Sequence, residues 1–181
     1  VTKDGGVISL SKDLEIGYLS QSVISDLGNT LYDEALLVFK DLIKMESDLA
    51  SLCEKMALSH SEEDLEAYSK LENRFKSLGG YDYRYKIDMM LSKFGFYKED
   101  FARPIASFSG GERMKMAFAK LLLIKPNLLV LDEPTNHLDI ATIEWLETYL
   151  KTYEGSILFV SHDRYFINSV ANKILEIDQK R

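Results

Sequence analysis

Two short apolar runs separated by a helical pattern constrain this chain more than any other feature. Residues Asn127 to Asp132 and Ser156 to Val160 read as strands with almost no polar alternation, and Ile140 to Leu150 between them repeats at helical spacing. Strands of that kind are buried on both faces, and a helix joining two of them makes them parallel neighbours. A short helix over Arg164 to Val170 and a closing strand over Lys173 to Ile177 continue the alternation. The second half is therefore expected to be a parallel α/β sheet covered by helices on both sides.

The first half has a different rhythm. Val7 to Leu10 and Leu14 to Leu19 alternate as two short strands around a turn at Ser11-Lys12-Asp13. From Leu31 to Met56 apolar residues recur every three or four positions, the stripe of one long helix. A second stripe runs from Leu65 to Leu78. It starts near Ser61, where Ser61 and Asp64 resemble a capping box, and stops at Gly79-Gly80. Two such helices joined by a short loop form an antiparallel hairpin, because neither holds its shape without burying its stripe. Cys53 shares the first stripe with Leu49, Leu52 and Met56 and reads as a buried filler. Further helices are expected around Ile87 to Phe94 and over Gly110 to Leu123, with a loop broken by Pro104 between them.

These patterns divide the chain into four parts. Residues 1–30 supply strands, 31–78 the hairpin, 79–125 a helical subdomain, and 126–181 the main α/β portion. The hairpin carries 11 Asp and Glu against 6 Lys and Arg, a balance of −5. The whole chain, with 22 Lys and Arg against 29 Asp and Glu, carries −7, which argues against broad contact with nucleic-acid phosphates. Its longest aliphatic runs are four residues, far short of the roughly 20 that cross a bilayer. With one cysteine and no secretory signal pattern, a cytoplasmic location and no membrane insertion are expected.

Three segments carry possible chemistry. The run Leu128-Leu129-Val130-Leu131 ends in Asp132-Glu133-Pro134. Ligands of α/β sheets gather at the carboxyl ends of strands. There one carboxylate can hold Mg2+ and its neighbour can accept a proton from water. The same acids can also be plain helix caps. Ser109-Gly110-Gly111 opens a helix, where glycines let backbone N–H groups approach a phosphate, or where Ser109 merely caps. His162 follows a strand within Ser161-His162-Asp163-Arg164. It either donates to a phosphate oxygen or stands incidentally beside a cap.

Ser109-Gly110-Gly111-Glu112, Leu128 to Glu133, Asn136-His137-Leu138-Asp139 and then His162 occur in the order and spacing of ABC ATPases. They resemble the signature motif, the Walker B strand with its catalytic glutamate, the D-loop and the switch histidine. Gln21 resembles the Q-loop glutamine. Glu133-Pro134-Thr135-Asn136-His137-Leu138-Asp139 and Ser161 to Phe166 are similar to the F subfamily, whose members carry two ATPase domains and no membrane domain. The hairpin between Gln21 and Ser109 is similar to the arm inserted in the first of those domains.

The resemblance implies an ATP and Mg2+ protein acting on the ribosome, as a translation factor or in antibiotic resistance. It implies that Glu133 and His162 are catalytic and that Asp132 and Gln21 serve the metal. Ser109, Gly110, Gly111 and Asp139 would act at the nucleotide interface with a second ATP-binding domain. The alternative is the ATP-binding subunit of a membrane transporter.

No G-x-x-x-x-G-K-[ST] string, the loop that cradles the phosphates in such ATPases, occurs in the sequence. In the family it lies upstream of the position of Val1. The sequence is therefore expected to be a piece of a longer protein, inactive without that loop.

Overall fold

The computed structural model describes residues 9–20, 23–59 and 61–176. Its sheet has strands β1 (Ile16–Tyr18), β2 (Leu128–Asp132) and β3 (Ser156–Val160), in the order β1-β2-β3. Both pairings are parallel, with Ile16 opposite Leu128 and Asp132 opposite Val160. β1 and β2 are neighbours although some 110 residues separate them, so five helices leave the sheet and return in one excursion.

Those helices are α1 (Leu31–Leu36), α2 (Lys40–Ser59), α3 (Glu62–Ser77), α4 (Tyr83–Lys93) and α5 (Gly110–Ile124). Helices α6 (Ile140–Lys151) and α7 (Arg164–Val170) follow β2 and β3. The core runs from the helical part into the sheet. Leu129 and Leu131 of β2 belong to the same buried cluster as Leu121, Leu122, Leu146 and Phe166. Phe94 meets Phe118 and Trp145 with ring centres 5.3 and 5.8 Å apart, which ties the end of α4 to α5 and α6.

Caps fix where the helices start. Ser109 Oγ accepts from the Glu112 N–H while Glu112 Oε2 accepts from the Ser109 N–H, a reciprocal capping box. Asp139 and Asp163 cap α6 and α7 by accepting backbone N–H groups one turn in. Lys125 ends α5 in the left-handed conformation at φ 53°, just before Pro126. Gly17 lets β1 pass close to that corner, since a Cβ there would lie 2.5 Å from Pro126 Cγ.

Several expectations need correction. The stripe from Leu31 to Met56 is not one helix, because Leu37–Phe39 forms a 3₁₀ turn between α1 and α2. Each residue of such a turn advances about 120° instead of 100°, which rotates the stripe of α2 out of phase with that of α1. Ser61 caps α3 as expected, its hydroxyl oxygen accepting from the Glu63 N–H. Cys53 is exposed. Two helices alone cover only a narrow seam, and Cys53, although it meets Tyr68 of α3, lies at its exposed margin.

β3 is not buried: its residues alternate between half-covered and exposed, because one face of the sheet is bare among the described residues. No strand forms over residues 173–176, while Ile177 lies outside the described residues. Ser9 and Leu10 are likewise not in a strand, and Val7 and Ile8 are outside the described residues.

The hairpin is rooted by directional contacts. Tyr83 Oη donates to Glu46 Oε2 at 2.7 Å, and the Arg84 guanidinium reaches the same oxygen at 2.8 Å. Burial and that carboxylate push the Tyr83 phenol up to about 12. On the α3 side the buried Phe75 ring packs against Gly80 so closely that a Cβ there would sit 2.4 Å away.

Candidate functional site

The chemistry-bearing residues sit where β2 and β3 end side by side. Asp132 is the last residue of β2, exposed and level with Val160. Glu133 then turns sharply, at φ 47°, while its N–H still donates to Val160 O at 2.8 Å. A non-glycine residue in the left-handed region costs about 1 kcal/mol or more, and such strain collects at functional sites. The turn aims the Glu133 carboxylate across the gap between the strands. Oε2 meets His162 Nδ1 at 2.7 Å and lies 3.4 Å from the His162 N–H.

That geometry assigns the imidazole. An ionised carboxylate only accepts, so Nδ1 carries the hydrogen. Nε2 stays uncommitted at the exposed edge. A second donation from Nε2 to an anion requires the imidazolium form.

The other side of the cleft comes from α5 and the turn before α6. Leu19, Met114, Lys115, Asp132, Glu133, Asn136 and His137 line it. His137 is also left-handed, at φ 67°, and lies against Gly111, where an added Cβ would come 3.8 Å from its side chain. Lys115 Nζ is 3.8 Å from Asp139 Oδ2. The Asp139 carboxyl is held below its usual range, first by the Thr142 N–H, which outweighs the opposing effect of burial, and further by the Thr142 hydroxyl and Lys115.

Asp132, Glu133 and His162 are thus brought together, and the turn carrying Asp139 is joined to α5 through Gly111 and Lys115. Ser109 and Gly110 are exposed at the helix start, with nothing within 4 Å of a Cβ placed on Gly110. Gln21 lies outside the described residues. Sequence reasoning missed Lys115, whose one signal was its position one helical turn after Gly111.

The comparisons with known proteins fit this arrangement. The family model described as ABC transporter matches residues 9–136. The chain belongs to that family. It has the ABC ATPase domain fold, with a parallel sheet and a helical subdomain, and domains of this family bind ATP with Mg2+.

Within the family the chain goes with the F members. ABC transporter F family member 2 of Arabidopsis thaliana is 38% identical over 181 residues, across 96% of this chain and 26% of its own length. The energy-dependent translational throttle protein EttA of Mycobacterium tuberculosis is 41% identical over 130 residues, 72% of this chain and 23% of its own. The chain spans about a quarter of the length of such relatives. The archaeal ribosome recycling factor aABCE1, in complex with ribosomal stalk protein aP1, shares the fold at TM-score 0.54 and 22% identity, over 93% of this chain and 25% of that one. Among the described residues no helix is long and apolar enough to cross a membrane.

The residues at the strand tips fit the family's metal. Among the described residues no group of three or more His, Cys, Asp or Glu is placed to hold an ion. Mg2+ does not need one, because it binds through one or two carboxylates and completes its shell with phosphate oxygens and water. Two adjacent acids on an exposed strand tip suit an ion that arrives with its nucleotide.

Proposed function

We propose that the chain supplies part of the catalytic machinery of an F-type ABC ATPase whose nucleotide cycle acts on the ribosome. The observation that carries the reading is the Glu133–His162 contact at 2.7 Å beside Asp132, at the carboxyl ends of adjacent parallel strands.

In this reading Asp132, with Gln21, binds the nucleotide's Mg2+, which when bound neutralises charge on the phosphates. Glu133 orients water and accepts its proton, and the Nδ1–H of His162 holds that carboxylate in place. Nε2 would donate to the terminal phosphate in the imidazolium form. The N–H groups of Gly110 and Gly111 and the Ser109 hydroxyl, at the exposed start of α5, present donors to a nucleotide held by a second ATP-binding domain. The turn ending at Asp139 joins the two sites, since Lys115 and Gly111 tie it to α5. The domain division at residues 30, 78 and 125 gives the hairpin to the ribosome and the rest to ATP.

Support for the ribosome comes from the relative named as a translational throttle and from the projecting hairpin. Co-sedimentation of the full-length protein with ribosomes tests it. More protein is expected in the pellet with a non-hydrolysable ATP analogue than with ADP. Equal pelleting in both would contradict the reading.

A further inference from the structure

Among the described residues, Glu34 and Lys120 are the acidic and basic side chains that the core encloses, at 0% and 6% exposure, and nothing in the proposed chemistry uses either. Glu34 lies in α1 and Lys120 lies 86 residues away in α5. Glu34 Oε1 accepts from Lys120 Nζ and from the Ser25 N–H, both at 2.5 Å, and Oε2 accepts from Asn29 Nδ2 at 2.8 Å. The Lys120 ammonium has three protons and three acceptors: Glu34, Val23 O at 2.9 Å and Ser25 Oγ at 3.0 Å. Burial alone would raise the Glu34 carboxyl. Donation from Lys120, Ser25 and Asn29 outweighs it, and the group stays below its ordinary range.

We infer that Glu34 and Lys120 are a positioning pair that makes the direction of the α2–α3 hairpin follow helix α5. Helix α1 runs through the 3₁₀ turn at Leu37–Phe39 into α2 without leaving helical backbone, so α1 directs the hairpin together with the Glu46 contacts to Tyr83 and Arg84. Its other buried side chains, Leu31 and Ala35, are apolar and give no direction, while the Leu31 and Tyr32 N–H groups tie its start to Arg103 O and Phe101 O in the loop before α5. Glu34 is its buried side chain with directional bonds, and one of them, from Lys120, comes from the helix headed by Ser109, Gly110 and Gly111. Buried ion pairs add little net stability over apolar residues of similar size, yet they can fix one geometry among several. The leverage is large. Helix α2 is about 30 Å long at 1.5 Å per residue, so a tilt of about 10° at the root moves the tip by about 5 Å.

The inference does not depend on ATP hydrolysis or on the ribosome, and its test reads neither. In the full-length protein with its other cysteines replaced, spin labels at Leu58→Cys, on the hairpin, and Glu144→Cys, on α6, report their separation by pulsed EPR. Both positions are exposed. One narrow distance distribution is expected with the pair intact. In Glu34→Met/Lys120→Met, which removes both buried charges, the distribution should widen about two-fold while the melting temperature changes little. An unchanged centre and width in the folded double variant would overturn the inference. If that variant does not fold, Glu34→Gln is read instead. It keeps the shape but sets an amide N–H2 against the Asn29 donor, and an unchanged distribution there overturns the inference equally.

Discussion

A carboxylate accepts a proton from water efficiently only when it is aimed and held, and the residues around Glu133 do both. The left-handed backbone at Glu133 swings the side chain toward β3, and the His162 ring receives it. In the full-length protein His162→Ala should lower ATP turnover by about 10²-fold or more, because it removes both the brace and the outward nitrogen. His162→Asn should lose less, since its amide N–H can stand in for Nδ1–H. Steady-state phosphate release measures both, and equal losses would contradict the bracing role.

Glu34 sets a pH dependence. Its folded pKa is depressed, so its stabilising effect is fully present above the ordinary value of 4.5 and is lost as pH falls through the lower folded value. Urea unfolding should show Lys120→Met destabilised by about 3–5 kcal/mol at pH 7, where it strands a buried carboxylate. The gap should narrow below pH 4.5. A gap that stayed constant would remove the ion pair from the account.

Asp132, Glu133 and His162 were legible as sequence because each follows an apolar strand and the strands are short enough to count. The Glu34–Lys120 pair was not, since nothing local links positions 86 apart. Its faint trace is one cation inside Met116-Ala117-Phe118-Ala119-Lys120-Leu121-Leu122-Leu123.

At the scale of elements, helix starts were readable because capping is local chemistry. Ser109, Asp139 and Asp163 each accept N–H groups within the next three residues. Packing of one element on another was less readable. The 3₁₀ turn at Leu37–Phe39 hides inside an unbroken apolar period, and the exposure of Cys53 depends on how far α3 wraps around α2. Gly17 gave no sign of its constraint, yet a methyl group there would meet Pro126 and Leu121 at 2.5 and 2.6 Å. Gly17→Ala should therefore cost about 1–3 kcal/mol, because β1 must shift away from the corner after α5. Thermal unfolding checks this, and an unchanged midpoint would mean the corner yields freely.

Across the whole molecule, alternating strands and helices were enough to give the parallel sheet, whereas coverage of its faces was not. Ile16 and Tyr18 of β1 and Leu158 and Val160 of β3 are all exposed, where a parallel sheet was expected to be buried on both sides. Apolar composition records that a strand is fit for burial and not what covers it. The same limit applies to the hairpin, whose Leu65 and Leu78 are both 53% exposed although they belong to its second apolar stripe.

The central claim is that Glu133 is the base of an ATP-hydrolysing site completed at the strand tips. It is tested most directly by Glu133→Gln in the full-length protein, measuring bound ATP and phosphate release together. The neutral amide keeps the shape and cannot take the proton, so ATP binding should persist while turnover falls by about 10²–10⁴-fold. Turnover near that of the unsubstituted protein, with ATP bound, would contradict the claim.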